Sequence, residues 1–206
     1  MSLKTDIIRA VENGLLRLRE HEIIVKSASI SAKESDGVCR IRTGKLPRYE
    51  HSIESYLSVL ESDTIVTRTY STIHLEYDVR DDEIVGHRLV YFPCPVLIRE
   101  ADEEFDVADY VASCDLRSQA MLISPLRFDF TPTEARENHS ASHVHLGPDA
   151  RLPVSGPVHP IRFFRTIVGL YYPEQFEAVE ADLASSGFGR RTLTARENIE
   201  LFLNAD

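Results

Sequence analysis

The chain has 206 residues, 43% of them hydrophobic and 27% charged, which is the balance of one globular domain. No segment approaches the roughly 18 uninterrupted apolar residues of a membrane span, and the N-terminus lacks the apolar run of a signal peptide. We therefore expect a cytoplasmic protein with no membrane partner. The three cysteines lie far apart at Cys39, Cys94 and Cys114, which disfavours a disulfide scaffold and a cysteine zinc site.

The net charge of −10 is spread unevenly along the chain. Residues 1–50 hold ten Lys or Arg against seven Asp or Glu, residues 51–118 five against fifteen, and residues 119–206 eight against eleven. Non-specific binding to duplex nucleic acid needs a clustered basic footprint, so this balance argues against it. A local basic patch remains at residues 39–48.

Apolar residues recur at helical spacing in the first segment, which predicts an amphipathic helix over residues 3–21. Residues 23–42 predict two strands around a Ser-Asp-Gly turn, and residues 48–61 a short helix. In the next segment, apolar residues recur at every second position, which is the pattern of a strand. Residues 70–79 and 84–93 predict a hairpin around the turn "RDDE", whereas the acidic residues 100–118 predict a surface loop and helix.

The last third predicts two more strands and then helices. Strands are expected over 122–130 and 143–147, joined by a polar loop. A helix follows from Pro160, a second ends at Gly187, and a third covers 194–205. Residues 1–206 are thus expected to form a single α+β domain, whose mostly antiparallel sheet carries the N-terminal helix and a C-terminal helical segment.

Two histidines stand one residue apart in "HVHLG". Side chains alternate along a strand, so His143 and His145 point to one face, and in "LRFDF" Arg127 and Asp129 do the same. Both segments have one apolar and one ionisable face. If they pair, the shared apolar face brings all four ionisable residues onto one patch, which we predict to be catalytic.

Two chemistries fit this patch. In the first, one imidazole removes a proton from a ribose 2′-hydroxyl and the other gives a proton to the leaving oxygen, while Arg127 stabilises the transition state and Asp129 orients an imidazole. In the second, which we rank lower, His139, His143, His145 and Asp129 hold a divalent metal ion that activates water.

Residues after the histidines suit an anion-binding loop. The segment "GPDARLPVSGPVHP" leads to a helix N-terminus, where backbone donors favour phosphate. We predict substrate-binding roles for four residues that follow the pair: Arg151, His159, Arg162 and Arg165. His74 and Glu76 share a strand face and are weaker candidates to border the same pocket.

The runs "HRLVYFPCP", "LRFDF", "HVHLG" and "LPVSGPVHPIRFFRTIVGLYYP" together resemble a bacterial family of unknown function, DUF2290, over most of the chain. More locally, "RFDF" and "SHVHLG" are similar to the Arg-Tyr-Asp and His-x-His pattern of TumE-type toxins of bacterial toxin–antitoxin pairs. Phe128 stands where that pattern has tyrosine. The resemblance implies a small effector that acts on nucleic acid, is restrained by a partner and uses Arg127, Asp129, His143 and His145.

Two functions follow from these observations. The first is a ribonuclease-like phosphodiesterase of bacterial stress or phage defence, with RNA as substrate and the histidine pair as acid and base. The alternative is a non-catalytic accessory or neutralising module of a defence or toxin pair. The acidic residues 100–109 motivate this alternative, because they could mimic nucleic acid or cover a basic protein partner.

Overall fold

The computed structural model describes residues 2–44, 53–95, 124–136, 139–146 and 150–183. Four helices lie in these ranges: α1 Leu3–Glu20, α2 Ile53–Glu61, α3 Pro160–Tyr171 and α4 Phe176–Asp182. Nine strands accompany them: β1 Ile24–Lys26, β2 Ile30–Ser35, β3 Val38–Thr43, β4 Ile65–Thr67, β5 Thr72–Arg80, β6 Glu83–Phe92, β7 Leu126–Phe130, β8 Ser142–His145 and β9 Arg151–Pro153.

Helix α1 begins at a capped end and is anchored to the sheet there. The Ser2 side chain accepts a hydrogen bond from the Thr5 backbone N–H, which satisfies one free donor of the first turn. The Leu3 N–H donates to Asp82 Oδ1 at 2.6 Å, so the turn between β5 and β6 satisfies another. The helix then buries one apolar stripe, including Ile7 and Leu18.

The nine strands form one antiparallel sheet. Its main order is β1-β4-β5-β6-β7-β8-β9. The first half of β5 pairs with β4 and the second half with β3, which in turn pairs with β2. The long hairpin of β5 and β6 is therefore the centre of the sheet, and β7 and β8 extend it on one side.

The two faces of the sheet differ in composition because polar and apolar residues alternate along β3 and β5 to β8. One face, which we call the core face, carries residues such as Leu75, Leu89, Phe128 and Val144, all at most 5% exposed. Helices α1 and α3 cover it: the Phe128 and Phe163 rings meet edge to face, with centroids 5.9 Å apart. The opposite face, called the polar face below, holds most of the charged side chains of these strands.

The predicted α+β class is confirmed: an N-terminal helix, an antiparallel sheet and C-terminal helices. The short strands β4 and β9 were not predicted, because three residues leave little periodicity to read. The predicted acidic segment 100–118, the helix end at Gly187 and the helix over 194–205 lie outside the described residues, as do residues 48–52. None of the described helices is long and apolar enough to cross a membrane.

Candidate active site

Strand pairing brings the four predicted residues together on the polar face. In the β7–β8 register, Arg127 lies opposite His145 and Asp129 lies opposite His143. Their apolar neighbours Phe128 and Val144 are likewise opposite each other and face the core. The requirement that both apolar faces share one core therefore puts the polar residues of the two strands on the same side, and the observed register brings them into contact.

His145 Nε2 is the centre of the patch. It lies 2.8 Å from Arg127 Nη2, 2.9 Å from His143 Nε2 and 3.2 Å from Asp129 Oδ2. Arg127 Nε also lies 2.9 Å from Asp129 Oδ2. Both imidazoles are buried, at 4% exposed for His143 and 5% for His145, so the site is a buried polar network whose outer side is the half-buried Arg127.

A backbone carbonyl fixes the proton of His143. Its Nδ1 lies 3.0 Å from the carbonyl oxygen of Ser140, which only accepts, so Nδ1 carries the hydrogen. Burial lowers the pKa of His143 below its ordinary value of 6.5, although the bond to Ser140 acts in the opposite direction. The ring is therefore neutral near pH 7, and its Nε2 presents a free lone pair, as a general base requires.

Asp129 is the charged anchor of the network. Burial alone would raise the pKa of its carboxyl, but the hydrogen bond from His145 and the charges of Arg127 and Arg88 together hold that pKa far below its ordinary value. Arg88 on β6 lies opposite Asp129 in the sheet, and its Nε lies 3.2 Å from Asp129 Oδ1. The carboxylate thus stays ionised and binds both guanidinium groups.

The two neighbours of His145 Nε2 make opposite demands on whether this atom carries a hydrogen. Since the neutral His143 ring offers only a lone pair at Nε2, the contact between the two rings is a hydrogen bond only when His145 Nε2 carries the hydrogen. A guanidinium donates and never accepts, so the contact with Arg127 is favourable only when that hydrogen has left. The surroundings of His145 therefore suit both a protonated and a deprotonated Nε2, as a proton donor needs.

Part of the alternative metal site is also assembled. Ligand atoms of Asp129, His143 and His145 lie within 4.8 Å of one another. His139, the fourth predicted ligand, is not in this group: its ring lies 4.8 Å from that of His143, but its Nδ1 contacts the Glu134 carbonyl oxygen at 3.1 Å. Because the Arg127 charge lies 2.8 Å from His145 Nε2, it disfavours a cation there, and we prefer acid–base chemistry.

Of the four predicted substrate-binding residues, one lies beside the patch. Arg151 on β9 is opposite His145 on the polar face. The other three lie on α3 or at its N-terminus, and α3 covers the core face, so the structure does not bring them to the patch. His159 caps α3 itself, since its Nδ1 accepts from the Ile161 N–H at 3.2 Å, and Arg165 pairs with Glu180 of α4. Arg162 lies in the same helix, on the far side of the sheet from the histidine pair.

The sequence interpretation missed Arg88. Alternation along β6 places it on a polar face, but only the β6–β7 register shows that it meets Asp129. His74 and Glu76, the weaker candidates, also lie on the polar face, on β5. His74 is fully buried opposite Val90, whereas the Glu76 side chain is 16% exposed opposite Arg88.

A family model described as "Uncharacterized conserved protein (DUF2290)" matches residues 32–205. No curated protein and no solved structure shows a significant match to the chain.

Proposed function

The chain belongs to the family of uncharacterized conserved proteins DUF2290, and we propose that it is a phosphodiesterase that cleaves RNA by acid–base catalysis. The observation that carries the proposal is the hydrogen-bonded pair of His143 and His145, in which one ring has a carbonyl-fixed proton and a free lone pair. The resemblance to TumE-type toxins extends the proposal to a role as an effector of bacterial stress or phage defence.

Each residue has one role in the reaction. His143 Nε2 removes the proton of a ribose 2′-hydroxyl, and the 2′-oxygen then attacks the adjacent phosphorus. The bond between phosphorus and the 5′-oxygen breaks as His145 Nε2 gives its proton to that oxygen. The products are a 2′,3′-cyclic phosphate and a free 5′-hydroxyl. Arg127 stabilises the charge that builds on the phosphoryl oxygens, and Asp129 holds Arg127 and His145 in place.

The contact between the two imidazole rings lets the site return to its starting protonation after each reaction. After the reaction His143 holds an extra proton at Nε2, and His145 Nε2 has a lone pair, which Arg127 stabilises by donating to it. When the products leave, the 2.9 Å contact between the Nε2 atoms lets the proton pass back to His145. A phosphate that approaches over Arg127, whose side chain is 28% exposed, would enter between the rings and separate them during catalysis.

The test is cleavage of an end-labelled mixed-sequence RNA by the full chain. We expect cleavage of RNA but not of DNA of the same sequence, which lacks the 2′-hydroxyl, and products with cyclic phosphate ends. His143→Ala and His145→Ala should each lower the rate by about 10² to 10⁴-fold. The matched control is His21→Ala, since His21 lies at the end of α1 and contacts Asp182.

The remaining outcomes separate the alternatives. Cleavage that persists in EDTA supports the acid–base mechanism, whereas loss of cleavage in EDTA would replace it with metal-assisted hydrolysis. Cleavage that survives the double change His143→Ala/His145→Ala would show that the activity comes from elsewhere. Absence of cleavage in every sample would favour a non-catalytic accessory or neutralising protein.

A further inference from the structure

A row of alternating charges crosses the polar face and ends at the histidine pair. Consecutive register partners from β3 to β8 are Arg42, Glu76, Arg88, Asp129 and His143. We call these five residues the charged row. Adjacent strands lie about 4.8 Å apart, so the row is about 19 Å long.

The polar face is basic although the chain is acidic. On β3 and β5 to β9 it carries six arginines and four carboxylates, a balance of +2 on a chain of net charge −10; the arginines are Arg40, Arg42, Arg80, Arg88, Arg127 and Arg151, and the carboxylates are Glu76, Asp78, Glu83 and Asp129. A local excess of positive charge beside a proposed phosphodiesterase site favours an anionic ligand there.

The arginines of this face are not equally available to a ligand. Arg40 is engaged by Asp78 through two parallel contacts, Nε to Oδ1 at 2.7 Å and Nη2 to Oδ2 at 3.0 Å. Arg88 contacts Asp129 through Nε alone, and its side chain is 45% exposed. Arg42 forms no ion pair with any carboxylate of the described residues. Two arginines of the charged row therefore keep donors for an external anion.

The carboxylate between them does not block such an anion. The Glu76 side chain is 16% exposed, and burial raises its pKa above the ordinary value. The longer arginine side chains on either side extend further from the sheet. At the other end of β5, His74 and Val90 are fully buried, so the accessible groups of the charged row are its arginines, above all Arg88.

We propose that the charged row binds a single strand of RNA, with the scissile phosphate at the histidine pair and further phosphates at Arg88 and Arg42. This inference rests on the proposed function, because it takes the histidine pair as the point of cleavage. A stacked strand rises about 3.4 Å per nucleotide, so about 19 Å accommodates up to six nucleotides, and fewer if the strand is extended. The substrate is therefore an oligonucleotide, and a dinucleotide would miss the Arg42 end.

The experiment measures binding separately from cleavage. Fluorescence anisotropy of the full chain with labelled oligodeoxyuridylates, which lack the 2′-hydroxyl, gives the Kd for a dimer, tetramer, hexamer, octamer and dodecamer. We expect the Kd to fall with length until about six nucleotides and then to level off. Arg42→Gln should weaken hexamer binding about tenfold, leave dimer binding unchanged and reduce the salt dependence by about one phosphate contact.

Two variants control this result. Arg19→Gln removes the same charge from the exposed end of α1, which packs against the core face, and should leave every Kd unchanged. Arg42→Lys keeps the positive charge and should retain most of the hexamer affinity. A thermal melt of each variant that matches the parent's excludes misfolding as the cause.

The outcomes distinguish the charged row from the proposed function. Cleavage of RNA together with a Kd that depends on neither length nor Arg42 would overturn the charged row and leave the phosphodiesterase intact. Length-dependent binding that requires Arg42, without cleavage of any RNA, would support the row and reject the catalytic proposal. Equal competition by polyglutamate of the same charge would overturn the inference in favour of an acidic protein partner.

Discussion

The Nε2 atoms of His143 and His145 lie 2.9 Å apart, which is the distance of a hydrogen bond between the two rings. The Ser140 carbonyl gives His143 the lone pair, so the proton belongs to His145 in the resting state. This difference between two neighbouring imidazoles comes from one backbone contact. It assigns the base to His143 and the acid to His145.

The assignment predicts how each histidine shapes the pH dependence of the rate. The base must be deprotonated, so the rate should rise with pH through the pKa of His143, and burial places this limb below pH 6.5. His143→Ala should abolish the rising limb, whereas His145→Ala, which removes the proposed proton donor, should lower the rate but keep that limb. Single-turnover rates of RNA cleavage from pH 4 to 9 test this. The same limb lost in both variants would refute the separate roles.

Asp129 should contribute far more to stability than a surface carboxylate of the same face. Asp129→Asn leaves two guanidinium groups without their charged partner in a largely buried site, and we expect the free energy of unfolding to fall by about 2–3 kcal/mol. Asp78→Asn removes only the more exposed pair with Arg40 and should cost less than about 1 kcal/mol. Urea unfolding near neutral pH measures both, and equal losses would contradict the network.

The buried His74 should lower the free energy of unfolding of the protein. It is fully buried, and neither ring nitrogen forms a well-shaped hydrogen bond within the part of the chain that the structure describes, so His74→Leu should raise the free energy of unfolding by about 1–2 kcal/mol at pH 7. His87 is the matched control, because its Nε2 accepts from the Val158 N–H at 2.9 Å. His87→Leu should lower the same free energy by about 1–3 kcal/mol. Urea unfolding of both variants measures the two signs.

The gain from His74→Leu should grow as the pH falls. Burial, with the charges of Arg42 and Arg88, lowers the pKa of His74 to about 4 in the folded state, against about 6.5 in the unfolded chain. The unfolded state therefore binds more protons between these values, and the parent loses stability as the pH falls from 6.5 to 4. The leucine variant lacks this loss. A gain that did not change with pH would mean that His74 is not neutral when folded.

At Gly14, α1 lies directly against the Phe164 ring of α3. A Cβ atom at this position would overlap the Phe164 ring, so Gly14→Ala should lower the free energy of unfolding by about 1–3 kcal/mol despite the better helix propensity of alanine. Asn13→Ala, on the exposed side of the same helix, should slightly raise it. Thermal unfolding distinguishes the two, and a stabilised Gly14→Ala would place α1 further from α3.

The sequence alone was enough to predict that Arg127, Asp129, His143 and His145 share one face of the sheet. Alternation along "LRFDF" and "HVHLG" sets the direction of every side chain relative to the core, because successive residues of a strand face opposite sides. If the two strands pair with one shared apolar face, all four ionisable residues lie on the opposite face. The helix from Pro160 followed from an equally local signal, a proline in the first turn before an apolar stripe.

The structure places His159, Arg162 and Arg165 away from the histidine pair, and the reason is again the position of the apolar face. Their proximity in sequence to the histidine pair suggested proximity in space, but the chain crosses to the core face before α3 begins. A helix that buries Phe163 and Phe164 must pack on the apolar side, and this carries its arginines away from the patch. No sequence signal in the loop between the histidine pair and α3 indicates which face of the sheet the chain will reach.

Local alternation thus determined which residues share a face within each strand, including the Arg127, Asp129, His143 and His145 set. The tertiary structure alone decided that β3 pairs with β5 and that β6 pairs with β7, and so placed Arg88 against Asp129 and Arg42 at the end of the charged row. The physical reason is that side-chain direction depends on backbone geometry within a few residues. The pairing of β3 with β5 and of β6 with β7, in contrast, depends on how the whole apolar surface is buried.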